Sequence, residues 1–337
     1  MSPPLYSSLN VSNIVLSSAL LFAITGALVY AVRKATKRHR NYVKVAKVCK
    51  LIVYPIKSLP GVEVDRLDVT IHGSAYGPFR DRSWLLVDNE NRMITQRTEG
   101  CSKLAMLTLQ FRDNQLWVDG PNMTTLKLNV INKANNMVIN TSVFGDAVDG
   151  IYCGKEAEDY FSAYLDKEGT KLIQHTKDMC GRQGFLEVNG ERLDRVSKYP
   201  ILYHDNSGLL VINQSSIDDL NGRLPADALS TTYRNFRPNI LISECQAFDE
   251  DNWAYVRVGC VHFSLVKPMD RCIFTTIDPN TGRKDGVEPL KTLRSYRLAS
   301  DKLRKTYGTS PLFGAGIGAE TEGQIQCGDD LLAVWKQ

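Results

Sequence analysis

The chain has 337 residues, of which 43% are hydrophobic and 23% are charged, and this is enough for one large or two modest globular cores. Its net charge of +4 is small for this length. The small charge argues against a dedicated nucleic-acid-binding protein, which would concentrate far more basic charge on one face, so no nucleic-acid partner is expected.

Residues 14–32 are nineteen positions without a charge, and as a helix they would rise roughly 28 Å, about the thickness of a bilayer's hydrocarbon core. A cleaved secretory signal would have its basic residues before the apolar stretch. Here they follow it, which favours an uncleaved anchor with the rest of the chain in the cytosol. We predict that residues 1–40 are a membrane anchor with a basic flank, in the mitochondrial outer membrane or, alternatively, the endoplasmic reticulum or peroxisomal membrane. The basic residues are Arg33, Lys34, Lys37, Arg38 and Arg40.

Short strands separated by turn sequences are predicted from residue 42 onward, and this spacing suggests an antiparallel barrel or sandwich. The predicted strands of the first half cover residues 43–56, 62–71, 83–87, 104–111, 115–118 and 125–131. A helix is predicted over residues 155–165, where Ala157, Tyr160, Phe161 and Tyr164 share one face. Residues 167–193 are charged and without clear periodicity, so we predict a linker or exposed connection there.

The second half mixes strands with short helices. The predicted strands cover residues 209–212, 240–243, 255–258 and 261–266. Helices are predicted over residues 215–220, with Ser215 as the N-cap, and over residues 288–297. The chain as a whole is therefore predicted to have an α+β, β-rich fold.

The eight cysteines are at least twelve positions apart, so the chain contains no Cys-x-x-Cys pair. Zinc ribbons, ferredoxin-type clusters and thioredoxin chemistry are therefore not expected. The even number could indicate disulfides, but a chain with a full core does not need them, and we favour reduced thiols in a cytosolic setting.

Cys272 stands beside Arg271 in the segment 268–282, at the start of a strand that we predict over residues 272–277. A neighbouring arginine favours the thiolate, which is the form of cysteine that binds metals. By itself, however, a single cysteine in a strand is more often a small buried hydrophobic residue.

Three further loops place cations at the ends of predicted strands. Lys57 and Ser58 follow the first strand, Arg82 precedes the strand at 83–87, and Arg237 precedes the strand at 240–243. Arginine binds phosphate bidentately and lysine adds a point charge, so such loops can line one anion-binding pocket. Taken alone, each of them is more often an ordinary surface loop.

In this order, the segments resemble the MOSC superfamily, which is named after the C-terminal domain of molybdenum cofactor sulfurase. The resemblance covers residues 44–332 and rests on the motifs YPIKS, RDR, NFRPN, RCxxTTxDPxTG and YGxSPLFG. With the predicted anchor, the chain is most similar to the mitochondrial amidoxime-reducing branch of that superfamily. One departure is Ala315-Gly316, where family members often carry a bulkier aromatic residue. The resemblance therefore does not predict the shape of the pocket rim.

The resemblance implies a barrel-like, β-rich MOSC N-terminal domain at residues 41–166 and a catalytic MOSC β-barrel domain at residues 167–337. A molybdenum–molybdopterin cofactor would lie between them, with Cys272 as the only protein bond to the metal. We predict Asp205 as an acid near the metal that relays protons. The residues that fall on cofactor-contacting segments of the family are Lys57, Ser58, Arg82, Asp205, Asn206, Ser207, Arg237, Asn239, Asp270, Arg271 and Cys272.

The activity implied by the resemblance is the reduction of N-hydroxylated compounds, such as amidoximes and hydroxylamines, to N–H products and water. Because no cluster-type cysteine spacing is present, the electrons are expected from separate proteins. The resemblance implies that these are NADH-cytochrome b5 reductase and cytochrome b5. The alternative function is a non-catalytic, membrane-tethered carrier of the cofactor. We expect the body of the protein to be monomeric.

Overall fold

The computed structural model describes residues 40–131, 137–176, 179, 181–188, 191–284 and 286–336. The first strands, in chain order, are β1 (Val43–Val53), β2 (Val62–Val64), β3 (Arg66–Thr70), β4 (Gly73–Tyr76), β5 (Phe79–Arg80), β6 (Trp84–Val87), β7 (Thr108–Arg112), β8 (Gln115–Asp119), β9 (Leu126–Leu128), β10 (Val138–Val143), β11 (Asp146–Tyr152) and β12 (Lys171–Gln174). They are followed by β13 (Arg182–Val188), β14 (Glu191–Ile201), β15 (Leu209–Asn213), β16 (Ile240–Ser243), β17 (Trp253–Val258), β18 (Val261–Asp270), β19 (Leu312–Ala319), β20 (Gly323–Gln326) and β21 (Asp330–Trp335).

Within the described residues, the helices are short and lie mostly in the second half of the chain. They are α1 (Lys155–Leu165), α2 (Gln214–Arg223), α3 (Tyr233–Phe236), α4 (Leu290–Tyr296) and α5 (Asp301–Tyr307). Single 3₁₀ turns cover Ser102–Met106, Asp249–Asn252 and Ile273–Thr276. The predicted helix at 155–165 is confirmed, and so is the β-rich character of the fold.

Seven strands close into a barrel, in the order β1, β16, β15, β19, β18, β17 and β21. Strand β1 completes the circle because it pairs antiparallel with β16 on one side and with β21 on the other. The other six strands all come from the C-terminal half of the chain. The first strand of the protein is therefore part of the same sheet as the last, which joins the two halves.

The inward-facing residues of β1 change their alternation once within the strand. Ala46 and Val48 point into the barrel core, as do Leu51 and Val53, so the alternation of inward residues shifts by one between the two pairs. A β-bulge between Val48 and Lys50 accounts for the shift. Because side chains alternate strictly along a strand, only such an extra residue keeps all four apolar side chains on the core face.

Strand β2 extends the barrel sheet by pairing antiparallel with β1. The remaining strands of the N-terminal half form smaller sheets, in the orders β10-β11-β12-β6 and β7-β8-β9 and, together with β20, the order β20-β3-β4-β5. Helix α1 packs its apolar face against them, with Phe161 fully buried in one cluster with Trp84 and Leu172.

The linker predicted over residues 167–193 is wrong. Strand β12 lies there, paired between β11 and β6 with Leu172 and Ile173 fully buried. The hairpin of β13 and β14 begins in the same segment and forms a two-stranded sheet of its own. A sheet of only two strands imposes little alternation of apolar and polar residues. The sequence periodicity therefore did not predict the β13–β14 hairpin.

Two local predictions are also wrong. The strand predicted over residues 272–277 is a 3₁₀ turn, because the Thr275 amide and hydroxyl both donate to the Cys272 carbonyl, at 3.1 and 2.9 Å. Helix α2 begins one residue earlier than predicted, and its N-cap is Asn213, whose Oδ1 accepts from the Ser215 amide at 3.0 Å. In both places a short polar side chain satisfies backbone groups locally.

The predicted anchor at residues 14–32 lies outside the described residues. Among the residues that the structure describes, no helix combines the length and the apolar character needed to cross a bilayer.

Candidate active site

A cavity of about 450 Å³ is walled by loops from both halves of the chain. It brings together all of the residues that the sequence placed on cofactor-contacting segments. They are Lys57, Ser58, Arg82, Asp205, Asn206, Ser207, Arg237, Asn239, Asp270, Arg271 and Cys272. Their proximity is a property of the fold, whereas their individual roles stay predictions.

Backbone hydrogen bonds between neighbouring loops set the first wall of the cavity. The Arg82 amide donates to the Tyr54 carbonyl at 2.7 Å, and the Lys57 amide donates to the Trp84 carbonyl at 2.8 Å. The Tyr203 amide in turn donates to the Arg82 carbonyl at 3.1 Å, which places the 204–207 loop beside them. These backbone hydrogen bonds join three segments that are far apart in sequence, and they place Lys57 and Arg82 side by side.

Three of the predicted residues have a positive φ, which glycine, asparagine and aspartate tolerate more readily than other residues. The φ values are 68° at Ser58, 46° at Arg82 and 60° at Arg237. Positive φ is uncommon in other residues and is concentrated at sites where function requires a fixed geometry. The sequence carries no signal of this strain, because serine and arginine are not the residues that such a conformation favours.

The cations Arg237 and Arg271 are held by carbonyls and rings. Arg271 is buried and donates to the Phe313 carbonyl at 2.8 and 2.6 Å and to the Phe236 carbonyl at 3.1 Å. Arg237 donates to the Leu59 carbonyl and stacks on the Tyr54 ring at 4.3 Å. Removal from water lowers the pKa of each guanidinium to about 10, so both stay charged at neutral pH. Within the described residues, neither has a carboxylate at ion-pair distance.

Asp81 and His204 form a buried network behind Arg82 that the sequence did not reveal. Asp81 accepts from the Tyr54 amide at 2.6 Å and forms an ion pair with Arg82. The Nδ1 of His204 accepts from the Leu202 amide at 3.2 Å, so its proton lies on Nε2, which is 3.0 Å from Asp81. Burial acts to raise the pKa of Asp81, but the opposing effects of Arg82 and the His204 N–H are larger. The net pKa is lowered, so the carboxyl is ionised. Burial lowers the pKa of His204 to about 4, so the imidazole is neutral.

Asn239 has its hydrogen-bonding groups engaged within the protein. Its amide nitrogen donates to the Ile52 carbonyl at 3.2 Å and to the Ser74 hydroxyl at 3.1 Å. Its amide oxygen accepts from the Leu210 amide at 3.2 Å and from Arg82 at 3.3 Å. The geometry therefore makes Asn239 a residue that fixes the direction of Arg82.

Lys57 and Asp205 form an ion pair at the cavity wall. Lys57 is buried, and burial lowers the pKa of its ammonium group. The Asp205 side chain is 59% exposed, because it lines the open cavity. Burial acts to raise the pKa of Asp205, but the Lys57 charge overcomes it and lowers that pKa to about 2. At neutral pH the pair consequently holds its proton on Lys57.

Several lining residues were not predicted, and Arg97 is the most informative of them. Its guanidinium nitrogen lies 3.8 Å from the Cys272 sulfur, which is exposed on the cavity wall. Lys267 also lines the cavity and pairs with Asp270 at 2.9 Å. Nothing in the sequence linked residue 97 to residue 272, because the contact depends on the folded positions of two loops.

The balance of charge in the cavity fits an anionic cofactor. Six cations line it, against the carboxylates of Asp205 and Asp270 and the buried Asp81 behind them. The six are Lys57, Arg82, Arg97, Arg237, Lys267 and Arg271. A pterin that carries phosphate and sulfur would offset this excess, and Cys272 offers a thiolate-forming sulfur on the same wall. Among the described residues, no group of three or more His, Cys, Asp or Glu side chains is arranged to hold a metal ion.

The departure at Ala315-Gly316 lies behind the cavity wall. Neither residue lines the cavity, and Ala315 is buried. A Cβ atom at position 316 would lie 2.8 Å from the Ser207 hydroxyl oxygen and 3.0 Å from the Met269 sulfur, and both of those residues line the cavity. A larger residue here would therefore change the cavity through Ser207 and Met269.

Comparison with known proteins identifies two domain families. The MOSC N-terminal beta barrel domain matches residues 45–168, and the MOSC domain matches residues 198–332. Mitochondrial amidoxime reducing component 2 of Rattus norvegicus is 35% identical over 299 residues, which is 89% of this chain and 86% of that protein. Mitochondrial amidoxime-reducing component 1 of Homo sapiens is 34% identical over 306 residues, which is 91% of this chain and 88% of that protein. Among solved structures, the YUAD protein of Bacillus subtilis matches 88% of this chain and all of its own, at 10% identity and a TM-score of 0.36, which is too distant to carry an argument.

The pH dependence of stability tests whether His204 is buried in its neutral form. The pKa of His204 is about 4 in the folded protein and 6.5 in an unperturbed histidine, so below 6.5 the unfolded chain binds a proton that the folded protein does not. The free energy of unfolding should therefore fall as the pH drops through this window, by roughly 1–3 kcal/mol from this residue. Urea denaturation of the wild type and His204→Gln at about pH 7 and about pH 4.5 measures the difference. Equal losses in the two proteins would contradict the burial of a neutral His204.

Proposed function

We propose that this chain, which belongs to the MOSC-domain family that includes the mitochondrial amidoxime-reducing components, is a molybdenum-cofactor-dependent reductase of N-hydroxylated compounds. The observation that carries the proposal is a cavity in which Lys57, Arg82, Arg237 and Arg271 share the wall with Cys272. The names of the relatives support the same reaction. When bound, the molybdenum cofactor would supply two-electron redox chemistry at its metal.

The reaction takes an amidoxime, two electrons and two protons to an amidine and water. The N–O bond breaks, the oxygen leaves as water, and the nitrogen gains a proton. We propose that the electrons come from NADH through cytochrome b5 reductase and cytochrome b5, as the family resemblance implies. The substrates are expected to be amidoximes and hydroxylamines.

The cations of the cavity would hold the anionic end of the cofactor. Arg82 and Arg237 both stack on the Tyr54 ring, with their guanidinium carbons 4.5 and 4.3 Å from its centroid. This stacking restricts the directions in which their N–H groups point. Ser58, Asn206 and Ser207 add hydroxyl and amide groups on the same walls. Cys272 would bond to the metal through its sulfur, which has a guanidinium nitrogen of Arg97 3.8 Å away.

Lys57 and Asp205 are the proposed proton pair of the site. Asp205 is ionised at neutral pH, so it can accept a proton, while Lys57 carries one and has a pKa lowered by burial. A proton that leaves Lys57 is thus replaced through a carboxylate that faces the cavity. Asp205 would relay protons as one partner of this pair.

We further propose that residues 14–32 anchor the protein in the mitochondrial outer membrane, with the body in the cytosol. The support is the uncharged stretch with basic residues after it, together with the names of the mitochondrial relatives. The domains at 41–166 and 167–337 would then hold the cofactor between them. In the structure, both halves contribute walls to the cavity.

Replacing Cys272 tests the metal ligand. We expect Cys272→Ala to lower the rate of benzamidoxime reduction by about 100-fold or more, because the protein's only bond to the metal is removed. The assay supplies NADH, cytochrome b5 reductase and cytochrome b5. The matched control is Cys260→Ala, an exposed cysteine outside the cavity, which should keep the wild-type rate. Normal turnover by Cys272→Ala would disprove the proposal, and a wild type that binds molybdenum without turnover would favour the carrier.

Replacing Arg237 tests the anion-binding wall separately from turnover. We expect Arg237→Ala to retain about 10- to 100-fold less molybdenum cofactor after dialysis, since hydrogen bonds to a charged group are lost. Molybdenum content per chain by mass spectrometry is the measurement. Arg112→Ala is the control, because Arg112 also stacks on an aromatic ring, that of Trp117 at 4.5 Å, but lies outside the cavity. Equal molybdenum content in the two variants would count against a role of Arg237 in cofactor binding.

A further inference from the structure

Phe144 stands at the tip of the β10–β11 hairpin, in a conformation that phenylalanine disfavours. Val143 pairs with Asp146, so the two-residue loop is Phe144-Gly145, and its φ values are +53° and +88°. Two positive φ values are the mark of a type I′ turn, which favours Asn-Gly or Asp-Gly. The β7–β8 hairpin, with φ values of 51° and 57°, uses Asp113-Asn114 at the same place. Turn chemistry therefore does not explain a phenylalanine at position 144.

Packing does not explain it either. The Phe144 side chain is 50% exposed and belongs to none of the apolar clusters that the described residues form. The ring lines the cavity, with its centroid 5.1 Å from the Lys57 ammonium nitrogen and 5.8 Å from the Arg97 guanidinium carbon. An aromatic side chain held in a strained turn beside a cavity is the kind of outlier that points to ligand contact.

The tip of the hairpin is fixed to the cavity wall. Arg182 is buried and donates to the Asp146 carboxylate at 3.1 and 2.9 Å, directly after the turn. The same guanidinium donates to the His204 carbonyl at 2.6 Å. His204 precedes Asp205, the partner of Lys57, so the hairpin tip and the cavity wall share one set of polar contacts. These contacts hold the hairpin tip, which carries Phe144, against the cavity wall.

The distance from Phe144 to Cys272 is short enough for one small molecule to span. Arg97 lies between them, with a nitrogen 3.8 Å from the Cys272 sulfur and its central carbon 5.8 Å from the Phe144 ring. The ring centroid is then no more than about 11 Å from the sulfur, because a carbon–nitrogen bond adds only ~1.3 Å to those distances. A substrate that reacts beside Cys272 can reach Phe144 with its other end.

We infer that Phe144 is a specificity-determining residue, which stacks on a flat aromatic group of the substrate. The preferred substrates are accordingly N-hydroxylated amidines that carry an aromatic ring. This inference rests on the proposed function, because it names the substrate class of the same site. Offset or edge-to-face contact between aromatic rings supplies the selectivity.

Phe144→Asn separates the contact from the fold. Asparagine suits a type I′ turn, so the variant should keep or raise the thermal midpoint of the full-length holoprotein. We expect its KM for benzamidoxime to rise about tenfold, with kcat within about twofold, because the lost aromatic contact serves substrate binding. The KM for acetamidoxime, which has no ring, should change less than about twofold, and Phe144→Tyr should keep the wild-type KM for benzamidoxime.

Two kinetic results would overturn the inference. One is a wild-type KM for benzamidoxime in Phe144→Asn. The other is an equal rise of KM for acetamidoxime, which would mean that the substitution disturbs the whole cavity.

Binding without electron donors distinguishes this inference from the proposed function. Calorimetry measures the Kd of benzamidoxime for the oxidised holoprotein and for Phe144→Asn. A wild type that binds benzamidoxime about tenfold more tightly than the variant, yet does not reduce it, leaves the aromatic site standing and overturns the proposed reaction. A wild type that reduces benzamidoxime, with no change of KM or Kd in the variant, supports the proposed reaction and overturns the aromatic site. Absence of both binding and turnover overturns both.

Discussion

The positive charge gathered around one cavity is the constraint on which the rest of the structure depends. Moving a charged group out of water costs several kcal/mol, and Lys57 and Arg271 are both buried. The protein offsets part of this cost with the backbone carbonyls around Arg271 and with the carboxylate of Asp205 beside Lys57. Arg237 shares the Tyr54 ring with Arg82 and has no carboxylate at ion-pair distance among the described residues. We infer that an anionic cofactor supplies the remaining balance.

Much of this site could be predicted from the sequence, because cations at strand ends and a cysteine beside an arginine are visible there. The β-branched run before Lys57 predicts a strand over residues 43–56, and the observed strand ends three residues earlier, at Val53. The family resemblance then added the order of the motifs. What it could not give was the shared barrel: the bulge at Val48 and the pairing of β1 with both β16 and β21 depend on strands nearly 200 or more positions away. Periodicity describes one strand at a time and carries no information about its partners.

The supporting residues of the site could not be predicted, for a different physical reason. Asp81 and His204 are 123 positions apart. Burial keeps His204 neutral, whereas the charge of Arg82 keeps the buried Asp81 ionised. The positive φ of Arg82 is likewise set by the surrounding hydrogen bonds. Phe144 contradicts the local turn preference, so a sequence rule would have placed another residue there. Such local exceptions are expected where function, and not stability, determines the residue.

The coordination of molybdenum in the purified holoprotein tests the central claim most directly. X-ray absorption at the molybdenum edge counts the sulfur atoms bonded to the metal, independently of substrate and of electron donors. If Cys272 is the protein ligand in the cation-lined cavity, the wild type will show one more sulfur ligand than Cys272→Ser, and Cys260→Ser will match the wild type. The same sulfur count in the wild type and in Cys272→Ser would contradict the account.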